Sequence, residues 1–159
     1  MNKLKEFISK LNSVVFMGIG SFLAIIAVLL MFAPGIQGLS EIVSSADVFF
    51  GQVGSVCFEN GAWPVFVGYM LILLGALIMG IIALPIVKIS SKLEKAFLFT
   101  AIASLFVGAI LVMCIVPIVT GLAPANNPSW YANKPAPFVA GAFALLAAIC
   151  GGIAVKYDW

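Results

Sequence analysis

The sequence predicts an all-α integral membrane protein: one domain, residues 1–159, folded as a four-transmembrane-helix bundle. Both termini are expected on the cytoplasmic side, with a short amphipathic helix in the first outer loop. Three observations carry this reading. Hydrophobic residues fill 64% of the chain and charged residues only 9%, with a mean hydropathy of +1.22, whereas soluble domains hold roughly 45–50% apolar and about 25% charged residues. Charge is absent from four intervals, 11–33, 65–87, 96–120 and 138–155, each close to the roughly 20 residues an α-helix needs to cross the hydrocarbon layer. None alternates as the roughly ten-residue strands of a membrane β-barrel would. Finally, seven of the eight basic residues, all lysines, flank one side of the four runs. The positive-inside rule places that side in the cytoplasm.

In chain order, "MNKLKEFISKL" puts Leu4, Phe7, Ile8 and Leu11 on one helical face, with Lys3, Lys5, Glu6 and Lys10 elsewhere. This suits a helix lying at the inner lipid surface before the chain turns into the membrane, or a solvated basic flank that sets topology. The following apolar stretch is longer than a signal peptide core, and Pro34 directly follows Ala33, so it reads as an uncleaved span.

The first outer loop, 34–64, contains "SEIVSSADVFF". Ile42, Val43, Ala46, Phe49 and Phe50 share one helical face, Glu41, Ser44, Ser45 and Asp47 occupy the other, and Ser40 is a suitable N-cap. The helix carries acids rather than lysines, so its apolar face is expected against span ends or a partner rather than anionic lipid. For "GQVGSVCFENGAW" the residues leave strand and loop open. The second outer loop, 121–137, has four prolines, three asparagines and the pair Trp130 and Tyr131, which predicts an ordered, non-helical connection. Trp63, Trp130, Tyr131, Tyr157 and Trp159 fall near span ends, where amphipathic rings anchor at the interface. "NPS" at Asn127 is not a glycosylation acceptor because of its proline, which is compatible with a prokaryotic cytoplasmic membrane.

Within the spans, small residues recur at helical spacing: Gly20, Ala24 and Ala27; Ala76, Gly80 and Ala83; Thr100, Ser104 and Gly108; Ala140, Ala144, Ala147, Gly151 and Ala154. Small faces let helix backbones approach where lipid removes the hydrophobic drive for association. They predict tight internal packing, with room for a face left over to a neighbour.

The exclusions follow from chemistry. No ionisable residue lies within a span, so a proton relay or pump has nothing to work with. Without histidine, and with scattered cysteines, no metal site is expected. No phosphate loop and no nucleophile beside a base is present, and no cofactor, nucleic acid or catalysis is expected. Cys114 and Cys150 fall at different depths and cannot readily pair, while Cys57 stands alone in the first outer loop.

Four spans, both ends inside, a longer first outer loop and a shorter second one make the layout similar to the claudin-type tetraspan arrangement. The similarity is of topology alone. That family's first loop carries a tryptophan cluster with a cysteine pair, and this loop has Trp63 at its very end and the single Cys57, so no residue role is carried across.

The expected mode of work is contact: a non-catalytic subunit or accessory protein that packs with other membrane subunits, copies of itself and lipid. The residues offered as its contact surface are Ile42, Val43, Ala46, Phe49, Phe50, Trp63, Trp130 and Tyr131. Two further readings stand beside it. One is a homo-oligomeric channel lined by Thr100, Ser104 and Gly108. The other is a binder of lipid or small hydrophobic molecules, with Phe49, Phe50, Trp63 and Trp130 at an outer mouth.

Overall fold

In the computed structural model the described residues are 2–37, 42–49, 52–53, 56–57, 62–84, 90–122 and 131–157. Four of its helices are long and apolar enough to cross a membrane, the make-up of a multi-pass α-helical membrane protein. They are α1 (Asn2–Leu29, extended by a 3-10 turn at Leu30–Phe32), α3 (Trp63–Ala83), α4 (Ser91–Met113) and α6 (Pro135–Tyr157). Each packs on its neighbours in chain order, and α6 closes the ring against α1. The neighbours are antiparallel. Gly68 lies against Leu111 while Gly75 lies against Leu105, and Gly141 meets Met113 while Gly151 meets Ile102.

Prolines set several helix ends. Span two was expected to run to Val87, yet α3 stops at Ala83. Leu84 is extended at φ −84°, ψ 123°, the conformation imposed on the residue before a proline, here Pro85. Span three was expected unbroken to Thr120. Instead α4 ends at Met113, Cys114 leaves helical geometry, and α5 resumes over Ile115–Leu122. Pro117 has no N–H for the Met113 carbonyl, and its ring crowds that carbonyl. Pro135 and Pro137 sit in the first turn of α6, where a missing N–H costs nothing. The helix therefore starts three residues before the charge-free run predicts. At the other end of the chain, α1 is one unbroken helix from Asn2, so no turn separates the basic segment from the span.

The end of the bundle opposite the chain termini carries strands, which the sequence left open beside a loop only for the stretch from Gly51 to Trp63. Among the described residues two small antiparallel sheets lie there, one of order β2-β1-β5 and one pairing β3 with β4. The strands are β1 (Pro34–Gln37), β2 (Ile42–Ser44), β3 (Gln52–Val53), β4 (Val56–Cys57) and β5 (Ala132–Asn133), and a short helix α2 spans Ser45–Phe49. Strand β5 comes from the second loop, so the two loops are joined through the first sheet, with Ile36 opposite Asn133 and Gln37 opposite Ala132.

Candidate functional site

The joined loops form a cap over the bundle, and its residues can be built up one contact at a time. A register shift between Pro34 and Ile36 leaves Gly35 as the extra residue of β1, a bulge that bends the strand. The bend brings Gly35 against the fully buried Ser45, whose Oγ would lie 2.5 Å and whose backbone N would lie 2.8 Å from any Cβ at that position. Only glycine fits this approach. Tyr69, fully buried on α3, donates its hydroxyl to Ser45 Oγ at 3.3 Å, which ties the cap to the bundle. The amides of Ala62 and Lys134 donate to the carbonyls of Val48 and Gly35. Ile36, Val48, Val65, Ile115 and Val119 are buried where cap and helices meet.

Helix α2 starts later than expected. Ser44 and Asp47 form a reciprocal cap: Asp47 N donates to Ser44 Oγ at 3.2 Å, while Ser44 N and Ser44 Oγ both donate to Asp47 Oδ2, at 3.1 and 2.8 Å. This is the capping-box logic with Asp at the third helical position. Ser40 and Glu41 lie outside the described residues. Ile42 and Val43 belong to β2, where pairing with β1 takes them out of the helix.

The predicted contact residues therefore do not share one helical face. Ile42 is 55% and Trp63 59% exposed, Val43 and Ala46 are half-buried, and Tyr131 is buried. Phe50, Trp130 and the Phe49 side chain lie outside the described parts. Ser45, expected on the polar face, is instead fully buried and, with Val48, unremarked in the sequence, forms the inward side of α2; the spacing Ser44-x-x-Asp47 was the signal that would have set the register. Burial pushes the Tyr131 phenol above its ordinary range, so the ring is neutral at physiological pH.

The small-residue faces turn inward. Gly20, Ala24, Ala76, Gly108, Ala140, Ala144, Ala147, Gly151 and Ala154 are buried, while Gly80 and Ala83 are half-buried. On α3 and α4, a Cβ on Gly108 would stand 2.6 Å from the Gly68 carbonyl oxygen, the close backbone approach that small residues permit. At the centre, the Met79 side chain fills space beside both Gly20 and Gly151. Two serines join helices: Ser13 Oγ donates to Ala154 O at 3.3 Å and Ser21 Oγ to Ala76 O at 2.8 Å.

Thr100 departs from the pattern and is exposed. Its hydroxyl donates to Ala96 O, and that of Ser104 to Thr100 O, both within α4. Both hydroxyls thus bond their own helix, and within one chain Thr100 is exposed whereas Ser104 and Gly108 are buried. Cys114 and Cys150 are free thiols near opposite ends of the bundle, and Cys57 stands opposite Gln52 in the β3–β4 pair.

Compared with known proteins, the sequence matches no family model and no curated protein, and the fold matches no solved structure. The functional reading therefore rests on the cap and on the packing faces.

Proposed function

We propose that the chain is a non-catalytic integral membrane subunit or accessory protein that docks other membrane proteins through its capped end and its helix faces. One observation carries this reading. The two loops are organised into a fixed surface, with strand pairing between loops, a capped α2 and the Tyr69–Ser45 bond to the bundle, and large apolar side chains remain exposed on or beside it at Ile42, Trp63 and Phe66. A surface held in place before binding loses little freedom on association. The charge-free spans agree with a role that moves neither protons nor ions. The lysine distribution supports placing the cap outside and the termini in the cytoplasm, in a prokaryotic cytoplasmic membrane by this reading.

Native mass spectrometry of the particle, gently extracted from its own membrane, tests the proposal. A defined set of other subunits is expected, and Ile42→Ser should lower their recovery while the bundle stays folded. Recovery of isolated monomer from the native membrane would overturn the reading, and a closed ring of this chain alone would replace it with a homo-oligomer.

A further inference from the structure

We propose that the lysine end of the bundle, along α4 and α6, is a rim that selects anionic phospholipid. Lys92, Lys95 and Lys156 hold the headgroup, and apolar residues beside them lie along the acyl chains. The helix pairing fixes the depth of Lys95 and Lys156, with Lys92 about one turn further out on α4. Ile102 of α4 lies against Gly151 of α6, and from that level Lys95 is seven residues along α4 and Lys156 five along α6, both toward the same end because the helices are antiparallel. At about 1.5 Å per residue they stand within about 3 Å of one depth. On α1, the Ser13–Ala154 bond places Lys10, three residues further on, near the same level.

Lys92 and Lys156 are exposed and Lys95 is half-buried. Next to them on α4, Leu93, Phe97 and Phe99 are 51%, 41% and 54% exposed, in a helix apolar enough to cross a membrane. Lysines on α4 and α6 directly bordering exposed apolar side chains match a phospholipid, which presents an anionic phosphate directly above its chains, whereas a free anion would use only the lysines. Charge complementarity favours the same occupant. By sequence, the segments flanking the spans on this side carry seven lysines and the acids Glu6, Glu94 and Asp158, a net of +4, while the two loops on the other carry Lys134, Glu41, Asp47 and Glu59, a net of −2. A basic residue near an anionic leaflet favours binding by roughly fivefold.

The test reconstitutes the full chain into phosphatidylcholine vesicles holding a minority of phosphatidylglycerol. Electron paramagnetic resonance then compares the motionally restricted fractions of the two lipids, each spin-labelled in turn. Phosphatidylglycerol should be preferred by about fivefold or more at low salt, and the preference should fall toward one in Lys92→Gln/Lys95→Gln/Lys156→Gln but survive in Lys134→Gln. Equal fractions in the unaltered chain, or a preference that the triple variant keeps, would overturn the proposal. If the triple variant does not fold, the unaltered chain decides by itself: added sodium chloride must weaken the preference by screening, and an unchanged preference overturns it. Replacing chloride by inorganic phosphate at constant ionic strength must leave the lipid preference unchanged, since a further loss would assign the lysines to a small anion instead.

Discussion

Gly108 and Gly152 are the same residue type in two transmembrane helices, yet their surroundings set opposite tolerances. A Cβ at Gly108 meets the Gly68 carbonyl and Ile72, while one at Gly152 meets nothing within 4 Å. Gly108→Leu should therefore destabilise the bundle by about 3 kcal/mol, because backbone cannot yield as a side-chain tip can. Gly152→Leu should be close to neutral, as read by unfolding in mixed micelles. Gly151→Leu should fall between them, since Ile102 and the flexible Met79 are its neighbours. Ser21→Ala removes the bond to Ala76 O and should cost about 0.6 to 1.7 kcal/mol, the range found for hydrogen bonds between membrane helices. The inward small faces were legible because their spacing follows the helical repeat. Ser13 and Ser21 were not picked out, since a lone serine in an apolar run gives no sign of whether it bonds its own helix, as Ser104 does, or its neighbour.

At the scale of elements, each misjudged boundary has a local cause. A run without charge marks what lipid tolerates, not where backbone hydrogen bonds stop, so Pro85 and Pro117 inside two runs were the better guides to the ends of α3 and α4. Pro117→Ala restores a donor for the Met113 carbonyl, and α4 and α5 should merge across Cys114. Amide hydrogen exchange would record this as added protection at positions 114–118. For α2, the helical spacing of the apolar residues from Ile42 to Phe50 suggested a longer helix. Strand pairing satisfies the backbone of residues 42–44 instead, and the Ser44–Asp47 cap opens the helix at Ser45. Ser44→Ala should destabilise the cap by about 1 kcal/mol, visible as faster exchange at Ala46 and Asp47 with no change in the four long helices.

For the whole molecule, the number of spans follows from composition and from where charge is absent. The joining of the two loops does not follow, because a pairing of two residues between Ile36–Gln37 and Ala132–Asn133 leaves almost no periodic trace in sequence. Residues directly opposite in an antiparallel pair lie about 4.5 to 5.5 Å apart at Cα, which suits a disulfide. The double substitution Gln37→Cys/Ala132→Cys should thus cross-link on oxidation, seen as a mobility shift under non-reducing conditions, and should raise the resistance of the cap to protease. Absence of the cross-link in folded protein would count against loop pairing.

That pairing also bears on the order in which the chain is made. Strand β1 emerges directly after the first membrane helix, but its partner β5 lies just ahead of the last one. During synthesis the β5 edge of β1 stays unpaired until the second loop has been translated, about a hundred residues later. Completion of the sheet is then a late event in biogenesis, and a nascent chain halted before Tyr131 would present that edge to chaperones and proteases.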